Sequence, residues 1–121
     1  MKLVYVIGPY RAESISGIVE NIRSAEGLSK VLWHMGYAVL CPHMNSSLMD
    51  GLVPDERFLA GAKIMLSLCD LAVVLPGYRK SAGSKAEIRW AQSEEIPVFF
   101  WPANKPELLS LARMEEKENP V

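Results

Sequence analysis

The chain has few cysteines and no marked excess of charge of either sign. Its 121 residues include two cysteines, Cys41 and Cys69, and the formal net charge at pH 7 is -1. Two cysteines flanked by apolar sequence are typical of buried, reduced thiols rather than of a disulfide framework. A basic stripe that could neutralise a phosphate backbone is missing, so polymeric nucleic acid is not an expected partner. We expect a cytoplasmic protein without a metal site.

Long apolar runs are also missing. No stretch reaches the roughly 20 apolar residues that span a bilayer, so we expect no membrane partner. The first apolar run ends at Gly8-Pro9 and lacks a small-residue cleavage site, which favours a first strand over a signal peptide. The length predicts a single domain over residues 1–121, with a polar tail over residues 115–121.

Two phosphate-binding fingerprints are absent as well. Gly8 to Glu13 does not spell the GxGxxG motif of dinucleotide-binding proteins. Ser81-Ala82-Gly83-Ser84 lacks the Lys-Ser/Thr ending of a Walker loop. We therefore predict no bound NAD, no ATP-type phosphate site and no cofactor.

The sequence does contain four short apolar runs that alternate with helical patterns. This alternation predicts an α/β fold of the flavodoxin or Rossmann-like type, a doubly wound parallel sheet with helices on both faces. Right-handed crossovers favour the strand order 2-1-3-4. The predicted strands are residues 3–7, 38–41, 71–75 and 97–100, and the predicted helices are residues 14–35 with Gly36 as the stop, 54–69, 84–91 and 106–116.

In this order the first and third strands are neighbours, and the loops that follow them form a crevice. Gly8, next to Pro9, has no side chain and so permits a close approach to its backbone. The guanidinium of Arg11 suits a phosphate or carboxylate. His43 follows the second strand and is placed to face the same crevice. The residues predicted to meet there are Tyr5, Gly8, Pro9, Arg11, His43, Ser81, Gly83, Ser84 and Glu87.

Glu87 has two interpretations. Ser84-x-x-Glu87 spells a capping box, which stabilises a helix start by about 1 kcal/mol and has no further function. Alternatively, Ser84, Glu87 and Ala91 recur at the spacing of a helix stripe that faces the sheet, which would place the carboxylate in the crevice. The spacing alone leaves both interpretations open.

Three short motifs resemble the nucleoside 2-deoxyribosyltransferase-like family, which includes the deoxynucleoside-5′-monophosphate N-hydrolases and small phage-type members. The motifs are Tyr5-Val6-Ile7-Gly8-Pro9, Cys69-Asp70 and Pro76-Gly77-Tyr78-x-x-Ser81-x-Gly83-x-x-x-Glu87. The resemblance implies that Glu87 is a nucleophile, that Tyr5 orients it, and that the chain acts in nucleotide metabolism on a small nucleoside or nucleotide. It also implies a homo-oligomer, because a neighbouring subunit often completes the active site in this family.

Two departures from the family pattern bear on the reaction. Ser81 stands where true transferases carry an aspartate, and a serine there resembles the monophosphate N-hydrolases. This favours hydrolysis slightly over base exchange and predicts a 5′-phosphate held by Arg11, Ser81 and Gly83. Near Ala62 the family often has an acid that this chain lacks, so the proton donor is unidentified. The alternatives are a nucleoside 2-deoxyribosyltransferase proper and a non-catalytic nucleotide-binding module.

Overall fold

Strands and helices alternate along residues 1–118, the part of the chain that the computed structural model describes. The strands are β1 (Leu3–Ile7), β2 (Ala38–Leu40), β3 (Leu71–Val74) and β4 (Val98–Phe100). The helices are α1 (Ile15–Met35), α2 (Pro42–Asn45), α3 (Asp55–Ser67), α4 (Ala82–Ser93) and α5 (Lys105–Glu118), with a short 3₁₀ turn at Tyr78–Lys80. Within residues 1–118, no helix combines the length and apolar composition that crossing a bilayer requires.

The four strands form one parallel sheet in the order β2-β1-β3-β4. Val4 on β1 pairs with both Val39 on β2 and Leu71 on β3, so β1 lies in the middle of the sheet. The predicted α/β class and strand order are confirmed. Because β1 and β3 are neighbours and parallel, the loops that follow them start side by side.

Helices cover both faces of the sheet. On one face, Val4, Val6 and Val73 pack with residues of α1 and α5 such as Leu32 and Leu108. On the other face, Tyr5, Ile7 and Val74 pack with residues of α3 and α4 such as Leu66 and Ile88. Successive strand side chains point to opposite faces. Tyr5 consequently points towards α3 and α4.

The ends of α1 follow the predicted signals. Ser14 caps its start, with the Ser14 hydroxyl accepting a hydrogen bond of 3.0 Å from the Gly17 amide. Gly36 ends it with a φ of 110°, in the left-handed region that glycine adopts at little cost. The two cysteines are free and buried, as predicted.

The predicted start of α4 at Ser84 is wrong. Ser81 caps this helix, and its hydroxyl accepts a hydrogen bond of 3.1 Å from the Ser84 amide. Ser81 has an extended backbone conformation and stands three residues before Ser84, which is the spacing of a cap and the amide it accepts from. Glu87 thus lies in the second turn of α4.

Three smaller features were not predicted. The helix α2 and the 3₁₀ turn occupy segments to which the sequence analysis assigned neither a helix nor a strand. Helix α5 continues to Glu118, so residues 115–118 of the predicted polar tail are helical. The rest of that tail, residues 119–121, lies outside the described residues.

Candidate active site

A cavity of about 680 Å³ opens where β1 and β3 end. Its walls come from the loops after these strands, from α1, from α2 and the segment that follows it, from the first part of α3 and from the first two turns of α4. All nine residues that the sequence predicts for the crevice line it: Tyr5, Gly8, Pro9, Arg11, His43, Ser81, Gly83, Ser84 and Glu87. The structure therefore brings together the entire predicted set.

Tyr5 and Glu87 are joined by a hydrogen bond inside this cavity. The Tyr5 hydroxyl donates to Oε2 of Glu87, linking the central strand to the second turn of α4. Tyr5 is fully buried, which fixes the position of its hydroxyl. The capping-box interpretation of Glu87 does not describe this structure, because Ser81 is the cap and the Glu87 carboxylate is bound by a tyrosine of the sheet.

Burial and hydrogen bonding act in opposite directions on Glu87. Burial raises the pKa of this carboxyl from 4.5 to about 7, and the hydrogen bond from Tyr5 partly counteracts the rise. The pKa of Tyr5 is raised by burial first and by the neighbouring Glu87 second. Tyr5 therefore stays protonated as the donor, whereas Glu87 changes its charge close to neutral pH.

Gly8 allows the first loop to pass close to β3. A side-chain carbon added at Gly8 would lie 2.6 Å from Cδ1 of Leu75. Such a distance is too short for two carbon atoms, so a larger residue would push the loop away from the sheet. The structure therefore gives Gly8 a packing role against Leu75, and a ligand contact at Gly8 stays a prediction.

His43 holds the same loop from the other side. Its Nε2 lies 3.0 Å from the carbonyl oxygen of Gly8 and 2.9 Å from that of Pro9. Because both partners are acceptors, Nε2 carries the proton and donates it. Burial lowers the pKa of His43, so the ring stays neutral and Nδ1 is an acceptor.

Two buried side-chain atoms in residues 1–118 lack a hydrogen-bond partner, and both belong to residues of this cavity. They are Nδ1 of His43 and the hydroxyl oxygen of Ser84. Buried polar atoms in folded proteins are nearly always hydrogen-bonded. The unpaired atoms therefore indicate room for a polar ligand or for water at this place.

A network of charged and polar side chains at the cavity was missed by the sequence interpretation. Arg11 Nη2 lies 2.5 Å from Oδ1 of Asp55, and Arg11 Nη1 lies 3.7 Å from Oδ2 of Asp50. The Tyr10 hydroxyl donates to Asp50 over 2.6 Å and accepts from the Leu48 amide over 2.9 Å. Arg11 thus lines the cavity as predicted, but two carboxylates already hold its guanidinium.

A signal for Asp55, one of the two aspartates, exists in the sequence. Asp55 is the first residue of α3, and Pro54-Asp55 marks the predicted start of that helix. A helix that returns across a parallel sheet begins at the carboxyl edge of the strands, where the crevice lies. The same reasoning that placed Arg11 there would have placed Asp55 there. Within residues 1–118, no cluster of three or more potential metal ligands occurs.

A family model matches residues 2–101, from β1 to β4, with every predicted site residue inside the matched span. The family is described as a domain of unknown function, DUF7768. The chain belongs to this family. No curated protein matches the sequence.

Among solved structures, the fold is similar to that of a 2-deoxyribosyltransferase from the psychrotolerant bacterium Bacillus psychrosaccharolyticus, described as a suitable biocatalyst for the synthesis of antiviral and antitumoral nucleosides. The TM-score is 0.62 and the identity is 16%, over 81% of this chain and 70% of that chain. This similarity shows a shared fold for the DUF7768 domain, in agreement with the predicted strand order.

Proposed function

We propose that the chain is an N-glycosidase that cleaves the base-sugar bond of 2′-deoxynucleosides or their 5′-monophosphates, with Glu87 as the nucleophile. The observation that carries the proposal is the hydrogen bond from Tyr5 to Glu87 inside the cavity. A carboxylate held by a buried donor, at the carboxyl edge of a parallel sheet, has the position and orientation that covalent catalysis needs. The resemblance to the deoxyribosyltransferase-like family supplies the substrate class.

In the first step, a carboxylate oxygen of Glu87 forms a bond to C1′ of the sugar. The bond from C1′ to the base nitrogen breaks, and its electron pair leaves with the base, which takes up a proton from solvent water. The transition state resembles an oxocarbenium ion, and the product is a glycosyl ester on Glu87, as in retaining glycosidases. Tyr5 keeps one carboxylate oxygen in place while the other attacks.

In the second step, a water molecule attacks C1′ of the ester. The bond from C1′ to Glu87 breaks, the carboxylate is regenerated, and the water proton leaves with solvent. Ser81 supports hydrolysis over base exchange, because the resemblance associates a serine at this position with hydrolases. Base exchange, the reaction of a nucleoside 2-deoxyribosyltransferase proper, would use a second base in place of water.

The other predicted residues are assigned to binding. Ser84 and His43 present unpaired polar atoms, which suit the hydroxyl groups of a sugar. Gly83 has no atom within 4 Å of an added side-chain carbon, so its backbone is open to a ligand. Ser81 and Gly83 lie at the start of α4, whose amides favour an oxygen-rich group such as the 5′ end of the substrate.

Base release from a panel of deoxynucleosides and their 5′-monophosphates, with and without a second base, tests this function. We expect wild-type protein to release free base without an acceptor. Release that requires an acceptor base would establish exchange instead. Release from no substrate by well-folded protein would overturn the N-glycosidase assignment.

A non-catalytic nucleotide-binding module is the second candidate. Ala62 favours it, because Ala62 lines the cavity on α3 where the resembled family often has an acid. This candidate predicts that a deoxynucleotide raises the melting temperature of both wild type and Glu87→Gln without any turnover. Base release by the wild type would exclude it.

A further inference from the structure

Arg11 is the cation that the sequence assigns to a 5′-phosphate, yet it is already paired. Its two terminal nitrogens lie 2.5 Å from a carboxylate oxygen of Asp55 and 3.7 Å from one of Asp50. A phosphate would have to displace these carboxylates or sit beside them. Like charges in close contact disfavour binding, so the pairing acts against an anionic ligand.

Each carboxylate has a support besides Arg11, a hydrogen bond for Asp50 and the start of a helix for Asp55. The Tyr10 hydroxyl donates to Asp50, and the Leu48 amide donates to that hydroxyl. Asp55 is the first residue of α3, where the amides of the helix start favour a negative charge. Neither carboxylate depends on Arg11 alone, so a ligand that withdrew Arg11 would leave both at the cavity.

The charges of the side chains around the cavity also disfavour an anionic ligand. Of the described residues that line it, three carry carboxylates and two carry permanent positive charges: Asp50, Asp55 and Glu87 against Arg11 and Lys80. His43 is neutral, because its Nε2 is hydrogen-bonded to carbonyl groups and burial lowers its pKa. A neutral hydroxyl can bind Arg11 or an aspartate without adding negative charge to this site. A phosphate dianion adds negative charge next to the carboxylates and is repelled by them.

Solvent weakens the repulsion between these carboxylates and an anionic ligand but does not remove it. The side chain of Arg11 is 61% exposed, that of Asp55 is 56% exposed, and that of Asp50 is 33% exposed. Charges at such positions are screened by solvent and salt. The preference for an uncharged ligand over an anionic one should therefore be partial, and it should weaken at high ionic strength.

We infer that Asp50 and Asp55 are specificity-determining residues, which make the cavity select an uncharged 2′-deoxynucleoside over its 5′-monophosphate. The inference rests on the proposed function and narrows its substrate class. It also replaces the expectation of a 5′-phosphate that Ser81 and Arg11 suggest in the sequence.

The test compares kcat/KM for one deoxynucleoside with kcat/KM for its 5′-monophosphate. The proteins are wild type, Asp50→Asn, Asp55→Asn, and the control Glu118→Gln, which removes an exposed charge from the far end of α5. Wild type should prefer the nucleoside by about tenfold. Each asparagine variant should shift the ratio towards the monophosphate by about fivefold through KM, and the control should leave the ratio unchanged.

The wild type alone provides a second measurement, which does not depend on the folding of a variant. Raising the salt concentration should reduce its preference for the nucleoside, because salt screens repulsion between charges. A wild-type preference for the monophosphate, or a ratio that both asparagine substitutions leave unchanged, would overturn this inference while base release still supported the function. Release from neither substrate would overturn the function and the inference together.

Discussion

At the scale of single residues, the charge of Glu87 is set by two opposing effects. Burial disfavours the carboxylate, and the Tyr5 hydroxyl stabilises it. The net result is a pKa of about 7, so a small change in either effect alters the fraction of Glu87 that is ionised at neutral pH. Nucleophilic attack requires the ionised form.

Activity should accordingly rise with pH through about 7, as Glu87 loses its proton. Replacing Tyr5 by Phe removes the hydrogen bond that lowers the pKa of Glu87. We expect the rising limb of the kcat/KM profile of Tyr5→Phe to move to higher pH, with a lower plateau. Profiles of both proteins with one substrate check this, and superimposable limbs would rule out a role for Tyr5 in tuning Glu87.

The same pKa predicts how stability depends on pH. The pKa of Glu87 is about 7 in the folded chain and 4.5 without the fold, so the folded state favours the protonated form. Protonation of Glu87 therefore contributes to the free energy of unfolding. This contribution is fully present below pH 4.5 and is lost as the pH rises through about 7, by about 3 kcal/mol in total.

Glu87→Gln should remove this dependence, because glutamine stays neutral and still accepts a hydrogen bond from Tyr5. Urea unfolding at pH 5 and at pH 8 measures the effect. The variant should be more stable than wild type at pH 8 by about 1–3 kcal/mol and close to it at pH 5. A variant that is less stable at pH 8 would show that the buried charge is compensated by other groups.

At the scale of helices and strands, the start of α4 positions Glu87, the proposed nucleophile. The cap at Ser81 sets where the helix begins, and this places Glu87 on the turn that faces Tyr5. The Ser84 hydroxyl, three residues later, makes no hydrogen bond in the structure. The two serines of this short segment therefore have different structural roles.

Ser81→Ala should lower the free energy of unfolding by about 1 kcal/mol, because it removes the side-chain acceptor for the Ser84 amide. Ser81→Asp retains an acceptor and should stay within a few tenths of a kcal/mol of wild type. Ser84→Ala serves as the matched control and should cause no loss, since no hydrogen bond is removed. Thermal denaturation of the three variants checks these values, and an equal loss in Ser81→Ala and Ser84→Ala would contradict the assigned cap.

Most elements could be predicted because their signals are local. The apolar run Leu3–Ile7 and the pair Ser14 and Gly36 specify β1 and the ends of α1 by burial and backbone preference. The start of α4 was misplaced because both Ser81 and Ser84 can cap a helix, and the choice depends on which conformation the preceding turn adopts. The preceding turn is the 3₁₀ turn at Tyr78–Lys80, and the periodicity of apolar residues does not reveal its conformation.

The sequence predicts which residues meet at the candidate site, but it does not predict all of the contacts between them. Strand order placed Tyr5 and Glu87 together because parallel neighbours end at one edge. The helix start places Asp55 at the same edge, but the spacing does not predict that Arg11 pairs with Asp50 and Asp55, about 40 residues away. Contacts between loops depend on loop paths, which side-chain spacing does not specify.

At the scale of the whole molecule, several large apolar side chains in and around α3 remain exposed. Leu52, in the loop before α3, is 71% exposed, and Ile64 and Leu68 at α3 are 67% and 73% exposed. The homo-oligomer implied by the family resemblance would give such side chains a partner surface. We expect sedimentation velocity to show a species larger than the monomer at micromolar concentration, and a monomer at all concentrations tested would contradict this.

The sheet order also explains why one cavity contains all the predicted site residues. Segments as far apart in the sequence as Tyr5 and Glu87 reach it because β1 and β3 are adjacent and end together. Within this cavity, Glu87 is the residue proposed to perform covalent catalysis.

The rate of base release from a deoxynucleoside by wild type and by folded Glu87→Gln is the most direct measurement of this claim. Glutamine keeps the shape and the Tyr5 hydrogen bond but cannot form the glycosyl ester. We expect the variant to lose at least about a thousandfold in kcat. A variant that retains more than about a tenth of the wild-type rate would contradict the assignment of Glu87 as the nucleophile.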